Sequence, residues 1–67
     1  MKVLQSYSTP KGVRVTMHEK IPATVQKNSQ LMSLAGVWKV VEVESDRTVI
    51  LTGGQGRPAM NEFFIKL

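Results

Sequence analysis

The chain has 67 residues, a net charge of +4 and no cysteine, which leaves room for one domain spanning residues 1–67 and excludes disulfide staples and thiolate metal sites. A hydrophobic content of 42% supplies a core and is too high for a disordered tail, although a domain this small buries only about 60% of its unfolded surface and is expected to be modestly stable. No apolar run approaches the ~18 residues of a membrane helix and no signal-peptide pattern opens the chain, so a cytoplasmic setting with no membrane partner is expected, for what reads as a complete small gene product beginning at Met1.

Residues 2–7 (Lys-Val-Leu-Gln-Ser-Tyr) and 12–17 (Gly-Val-Arg-Val-Thr-Met) flank Thr9-Pro10-Lys11-Gly12. Proline pre-sets φ for a turn and glycine tolerates a left-handed backbone, so this segment predicts a hairpin. Val13, Val15 and Met17 alternate with Arg14, Thr16 and His18, the period of a strand with one buried face. Pro22 turns the chain after Glu19-Lys20-Ile21, Ala23 to Val25 suit a short strand, and Lys27-Asn28-Ser29 reads as a turn. Residues 30–35 (Gln-Leu-Met-Ser-Leu-Ala) contain good helix formers between Ser29 and Gly36, so one helical turn or an irregular crossing is expected.

Residues 36–51 are the most informative stretch. Trp38, Val40, Val41 and Val43 are β-formers interleaved with Lys39, Glu42 and Glu44, residues 45–47 (Ser-Asp-Arg) make a polar turn, and residues 48–52 return. The adjacent Val40 and Val41 break the alternation, which predicts a strand that is bent or covered on both faces. A glycine-rich loop covers residues 53–58, and residues 61–67 form a last strand with Phe63, Ile65 and Leu67 on one face and Glu62, Phe64 and Lys66 on the other. Trp38 and Phe63 are expected in the core. An outward Phe64 would be free to stack on a base or anchor an interface, and Met32 and Met60 are the methionines expected to be partly exposed.

About five short strands joined by tight turns predict an all-β domain, a small barrel that removes its open edges by closure. The segment Val37-Trp38-Lys39-Val40-Val41-Glu42-Val43, followed by Asp46, Val49-Ile50-Leu51 and residues 63–67, resembles SH3-like small β-barrels over about half the chain. The resemblance implies a nucleic-acid or protein binding module and assigns no individual residue a role.

Enzyme chemistry is not expected. Gly54-Gln55-Gly56-Arg57-Pro58-Ala59 matches the G-x-G-x-x-[G/A] pattern of dinucleotide loops, but that loop must open a helix inside a βαβ unit, and Pro58 followed by a strand leaves none. His18 is the single histidine, with no converging set for catalysis or metal binding. Glu42 and Glu44 share a strand face beside a polar turn, where both should be solvated rather than tuned as an acid–base pair. No catalytic residue, metal site or cofactor is assigned.

Two binding functions remain. Residues 1–40 hold six cations against Glu19 alone, a net +5, whereas residues 41–67 hold three against four acids, a net −1. The first expectation is a nucleic-acid module that places Lys2, Lys11, Arg14, Lys20, Lys27 and Lys39 on phosphates, with Arg57 reaching from the glycine loop. The alternative is a protein-binding regulator or inhibitor, an accessory factor of phage or plasmid type. It would use the 39–48 hairpin and the 53–58 loop, with Glu42, Glu44, Asp46, Arg47 and Phe64 at the interface.

Overall fold

Three tight turns organise the chain, and they share one piece of chemistry. In a computed structural model describing all 67 residues, Val3–Thr9 (β1) and Gly12–Met17 (β2) are joined by Pro10 and Lys11. Gln30–Ser33 (β3) and Gly36–Val43 (β4) are joined by Leu34 and Ala35, and residues 44–47 connect β4 to Thr48–Thr52 (β5). In each turn a hydroxyl accepts a hydrogen bond from the backbone N–H two residues on: Lys11 N–H to Thr9 Oγ1 at 3.2 Å, Ala35 N–H to Ser33 Oγ at 3.2 Å, and Arg47 N–H to Ser45 Oγ at 3.4 Å. Gly12 and Gly36 leave the two-residue turns with φ of 144° and 130°, a region that side chains other than hydrogen disfavour.

Ser33-Leu34-Ala35-Gly36 thus repeats the turn pattern of Thr9-Pro10-Lys11-Gly12. That repetition corrects the expectation of a helical turn: the helix formers of residues 30–35 are overridden by a hydroxyl and a glycine that fit a hairpin. The molecule has no helix and six strands rather than about five. Ala23 to Val25 form a tight turn instead of a strand, with the Val25 N–H donating to the Pro22 carbonyl at 2.9 Å. The turn read at residues 27–29 is present, with Asn28 in the left-handed region at φ 75°.

Ile65–Lys66 (β6) completes a single antiparallel sheet in the order β1-β2-β5-β4-β3-β6. A flat sheet is a thin slab, but this molecule measures 26 × 22 × 20 Å, so the sheet coils strongly about its inner face. It does not close into the expected barrel. Regular pairing stops at β1 and β6, whose strands do not pair. The two edges are instead linked by the segment leading into β6: Lys2 and Phe63 form an isolated antiparallel bridge, and the Phe64 N–H donates to the Met1 carbonyl at 2.7 Å. Val41 is the extra residue of a bulge, since Val40 pairs with Leu51 and Glu42 with Ile50. The neighbouring valines of β4 signalled this irregularity.

The inner face buries Val3, Val15, Met17, Val25, Leu31, Trp38, Val40, Val49, Leu51 and Phe64 as one core. Trp38 and Phe64 meet edge to face, with centroids 6.3 Å apart and planes at 86°, a favoured aromatic geometry. Gly54 lies against the indole so closely that a Cβ would fall 2.0 Å from it. The expected placement of the two phenylalanines is therefore reversed: Phe64 is fully buried and Phe63 is 58% exposed. Alternation puts neighbours on opposite faces but does not say which face is inside. Here Phe64 is the ring that packs against Trp38.

Candidate functional site

The residues assigned in the sequence to rival sites meet in one cluster on the outer face. Cross-strand register sets Tyr7 opposite Arg14, Arg14 opposite Ile50, and Ile50 opposite Glu42, so the four side chains form a row across β1, β2, β5 and β4. The Arg14 guanidinium pairs with the Glu44 carboxylate and donates to the Tyr7 hydroxyl at 2.9 Å, and Lys11 lies 3.6 Å from Glu42. Beneath them Ile50 is only 2% exposed although it faces away from the core, because the aliphatic stems of such side chains cover apolar surface. Arg14 and Glu44 are thus engaged with each other, whereas Lys11 and Glu42, with side chains 65% and 45% exposed, form a loose surface pair.

The other assigned residues do not converge. The Arg47 guanidinium donates to the His18 carbonyl at 2.7 Å, and the Asp46 carbonyl accepts from the Ile21 N–H at 2.6 Å, so this turn braces the chain after β2. Lys20 and Lys27 sit exposed in the irregular segment between β2 and β3. Lys39 is exposed on β4, opposite Gln30 and Thr52. Phe64, assigned to an interface, is in the core and cannot touch a partner. No group of three His, Asp or Glu side chains is placed to hold a metal ion.

Two surfaces stand out that residue type alone did not mark. The first is apolar. Met32 pairs with Val37 on one side and Ile65 on the other, so these three form a continuous row on the outer face. Phe63 and Leu67 flank Ile65 at two-residue spacing, and Leu34 is fully exposed at the tip of the neighbouring turn. All six lie among the exposed large hydrophobics, from Met32 at 37% upward. Lys2 lies directly across from Phe63.

The second surface is a cleft of about 650 Å³ lined by Leu4, Gln5, Ser6, Arg57, Pro58 and Met60. The Ser6 hydroxyl donates to the Pro58 carbonyl at 2.6 Å and Pro58 is buried, which anchors one end of the glycine loop against β1. Gly53 and Gly56, at φ 98° and 61°, let the loop turn back to that anchor. No carboxylate approaches Arg57 within ion-pair distance. No family model, curated protein or solved structure matches this chain. Its function must be argued from these surfaces.

Proposed function

We propose that this chain is a non-enzymatic binding module that docks on another protein through the outer face of β4, β3 and β6. One observation carries the reading. The segment of residues 63–67 turns its more apolar face, Phe63, Ile65 and Leu67, to solvent and continues it into Met32 and Val37. A single exposed hydrophobe is ordinary, whereas a contiguous row on a sheet face is the kind of patch that interfaces use. Aromatic and Met side chains are enriched at the centres of such contacts. The SH3-like character belongs to this proposal as well, since a short, coiled antiparallel sheet offering one face is the working form of many small binding barrels.

Nucleic acid is the second reading, and a specific juxtaposition favours it. Seven of the nine Lys and Arg residues, all except Lys11 and Arg14, have no acidic side-chain partner, and one of the seven, Lys2, is paired through its backbone with the exposed Phe63. Stacking with a nearby cation is a mode for holding single strands.

A retention experiment separates the two. Immobilised wild-type protein should hold a protein from source-cell extract that resists nuclease treatment, and the Ile65→Glu variant should lose it while keeping its β-sheet circular dichroism. Retention that nuclease abolishes, or that Ile65→Glu leaves intact, overturns the protein-docking reading. The nuclease-sensitive outcome, with a steep fall of log K against log salt in a direct titration, establishes the nucleic-acid reading instead.

A further inference from the structure

On a different surface from the docking face, we infer that the free edge of β1 and the Arg57 loop form a receptor groove for an extended acidic peptide, which adds to the sheet as a further strand beside β1.

The backbone sets up the edge. Thr9 and Gly12 flank a two-residue turn, so they form a hydrogen-bonded pair. Antiparallel pairing alternates, so Tyr7 with Arg14 and Gln5 with Thr16 are hydrogen-bonded, while Ser6 and Ser8 turn their N–H and C=O groups away from β2. The bulge at Leu4 resets the alternation, and Val3 also faces outward. Val3 already demonstrates strand addition on this side: its N–H donates to the Glu62 carbonyl at 2.9 Å and its carbonyl accepts from the Asn61 N–H at 2.8 Å. Upstream of Asn61, which is in the left-handed region at φ 69°, the covering segment leaves the β1 ladder, and it returns to β1 at Pro58, whose carbonyl accepts from the Ser6 side chain rather than from the Ser6 backbone. Beyond Val3, no backbone hydrogen bond joins β1 to anything but β2. The space opened by that divergence is the 650 Å³ cleft.

The groove also specifies chemistry. Its one charged lining residue is Arg57, exposed and without an acidic partner, and Gln5 is exposed beside it. Leu4 and Met60, 42% and 69% exposed, supply apolar wall. An extended strand placed there offers main-chain groups to Ser6 and Ser8, a carboxylate to Arg57 and an alternate apolar side chain to Leu4 and Met60. Main-chain pairing supplies affinity and alternate side chains supply selectivity, as in other strand-addition receptors. Arg is suited to a carboxylate because its planar fork binds bidentately.

The test uses blocked heptapeptides of alternating valine and glutamate, or valine and lysine, titrated into the isotope-labelled full chain and followed by amide chemical shifts. The glutamate peptide should perturb residues 4–8 and 57–60, and the lysine peptide should bind about tenfold more weakly or not at all. Arg57→Glu should reverse that preference. Ser8→Pro should preserve the spectrum of the folded chain, because proline is tolerated where an edge N–H faces solvent, yet abolish peptide binding. Shifts confined to Val37, Met32 and Ile65, equal binding of the two peptides, or undiminished binding by Ser8→Pro would each overturn the groove.

Discussion

Phe63 and Phe64 are adjacent, chemically identical and opposite in consequence. Phe64 is fully buried against Trp38, and Phe63 is 58% exposed. Truncating a buried phenylalanine costs about 3–5 kcal/mol, while domains of this kind are stabilised by roughly 0.05–0.15 kcal/mol per residue. Phe64→Ala should therefore lose a large part of the total stability, about 3–5 kcal/mol in a urea titration at 25 °C. Phe63→Ala should shift the midpoint little, within about 0.5 kcal/mol of wild type, and should weaken partner retention instead. Equal destabilisation by the two substitutions would contradict the burial pattern. The pair also marks where sequence reasoning stops. Period 2 correctly separates the two rings, but it assigns the inside to the face with more apolar residues, and here that face is outside. Local rules fail in this way mostly where a surface is kept for another purpose. The ion pairs of Arg14 with Glu44 and Lys11 with Glu42 were illegible for a different reason. They depend on β2 lying beside β5, a neighbour relation that no local pattern encodes.

At the scale of elements, both long hairpins were legible because their signals are local. Thr9-Pro10-Lys11-Gly12 and residues 45–47 carry turn chemistry, and the paired valines of β4 announce its bulge. The β3–β4 hairpin was hidden by helix formers, although Ser33 and Gly36 stand at the same spacing as Thr9 and Gly12. The two glycines make a comparison possible. Both have φ in the region that disfavours side chains, but a Cβ at Gly12 would fall 2.6 Å from the Leu51 carbonyl oxygen, whereas a Cβ at Gly36 meets nothing within 4 Å. Gly36→Ala should cost only the backbone term, about 1–3 kcal/mol. Gly12→Ala should cost more, because it also pushes β2 from β5. Denaturation midpoints of the two variants read the difference directly. Equal costs would mean that the first hairpin is not seated on β5 as described.

The whole molecule is one sheet coiled on its own inner face, with the segment leading into β6 spanning between its edges. That segment bonds to β1 through Asn61 and Glu62, to Met1 just before β1 through Phe64, and to β3 through the ladder of Ile65 and Lys66. An all-β class was readable from turns and alternation, whereas the absence of closure was not, because closure depends on how far the edges travel after coiling. The arrangement has a consequence for the opening motions of the native state. Detaching this one segment would uncover Val3 on one edge and Met32 on the other in a single event. The Val3, Asn61, Phe64 and Leu67 amides, whose acceptors lie on both sides of that gap, should therefore exchange with deuterated solvent at one shared opening free energy, lower than that of the central β2–β5 ladder. Four unrelated protection factors would mean that the two edges breathe independently.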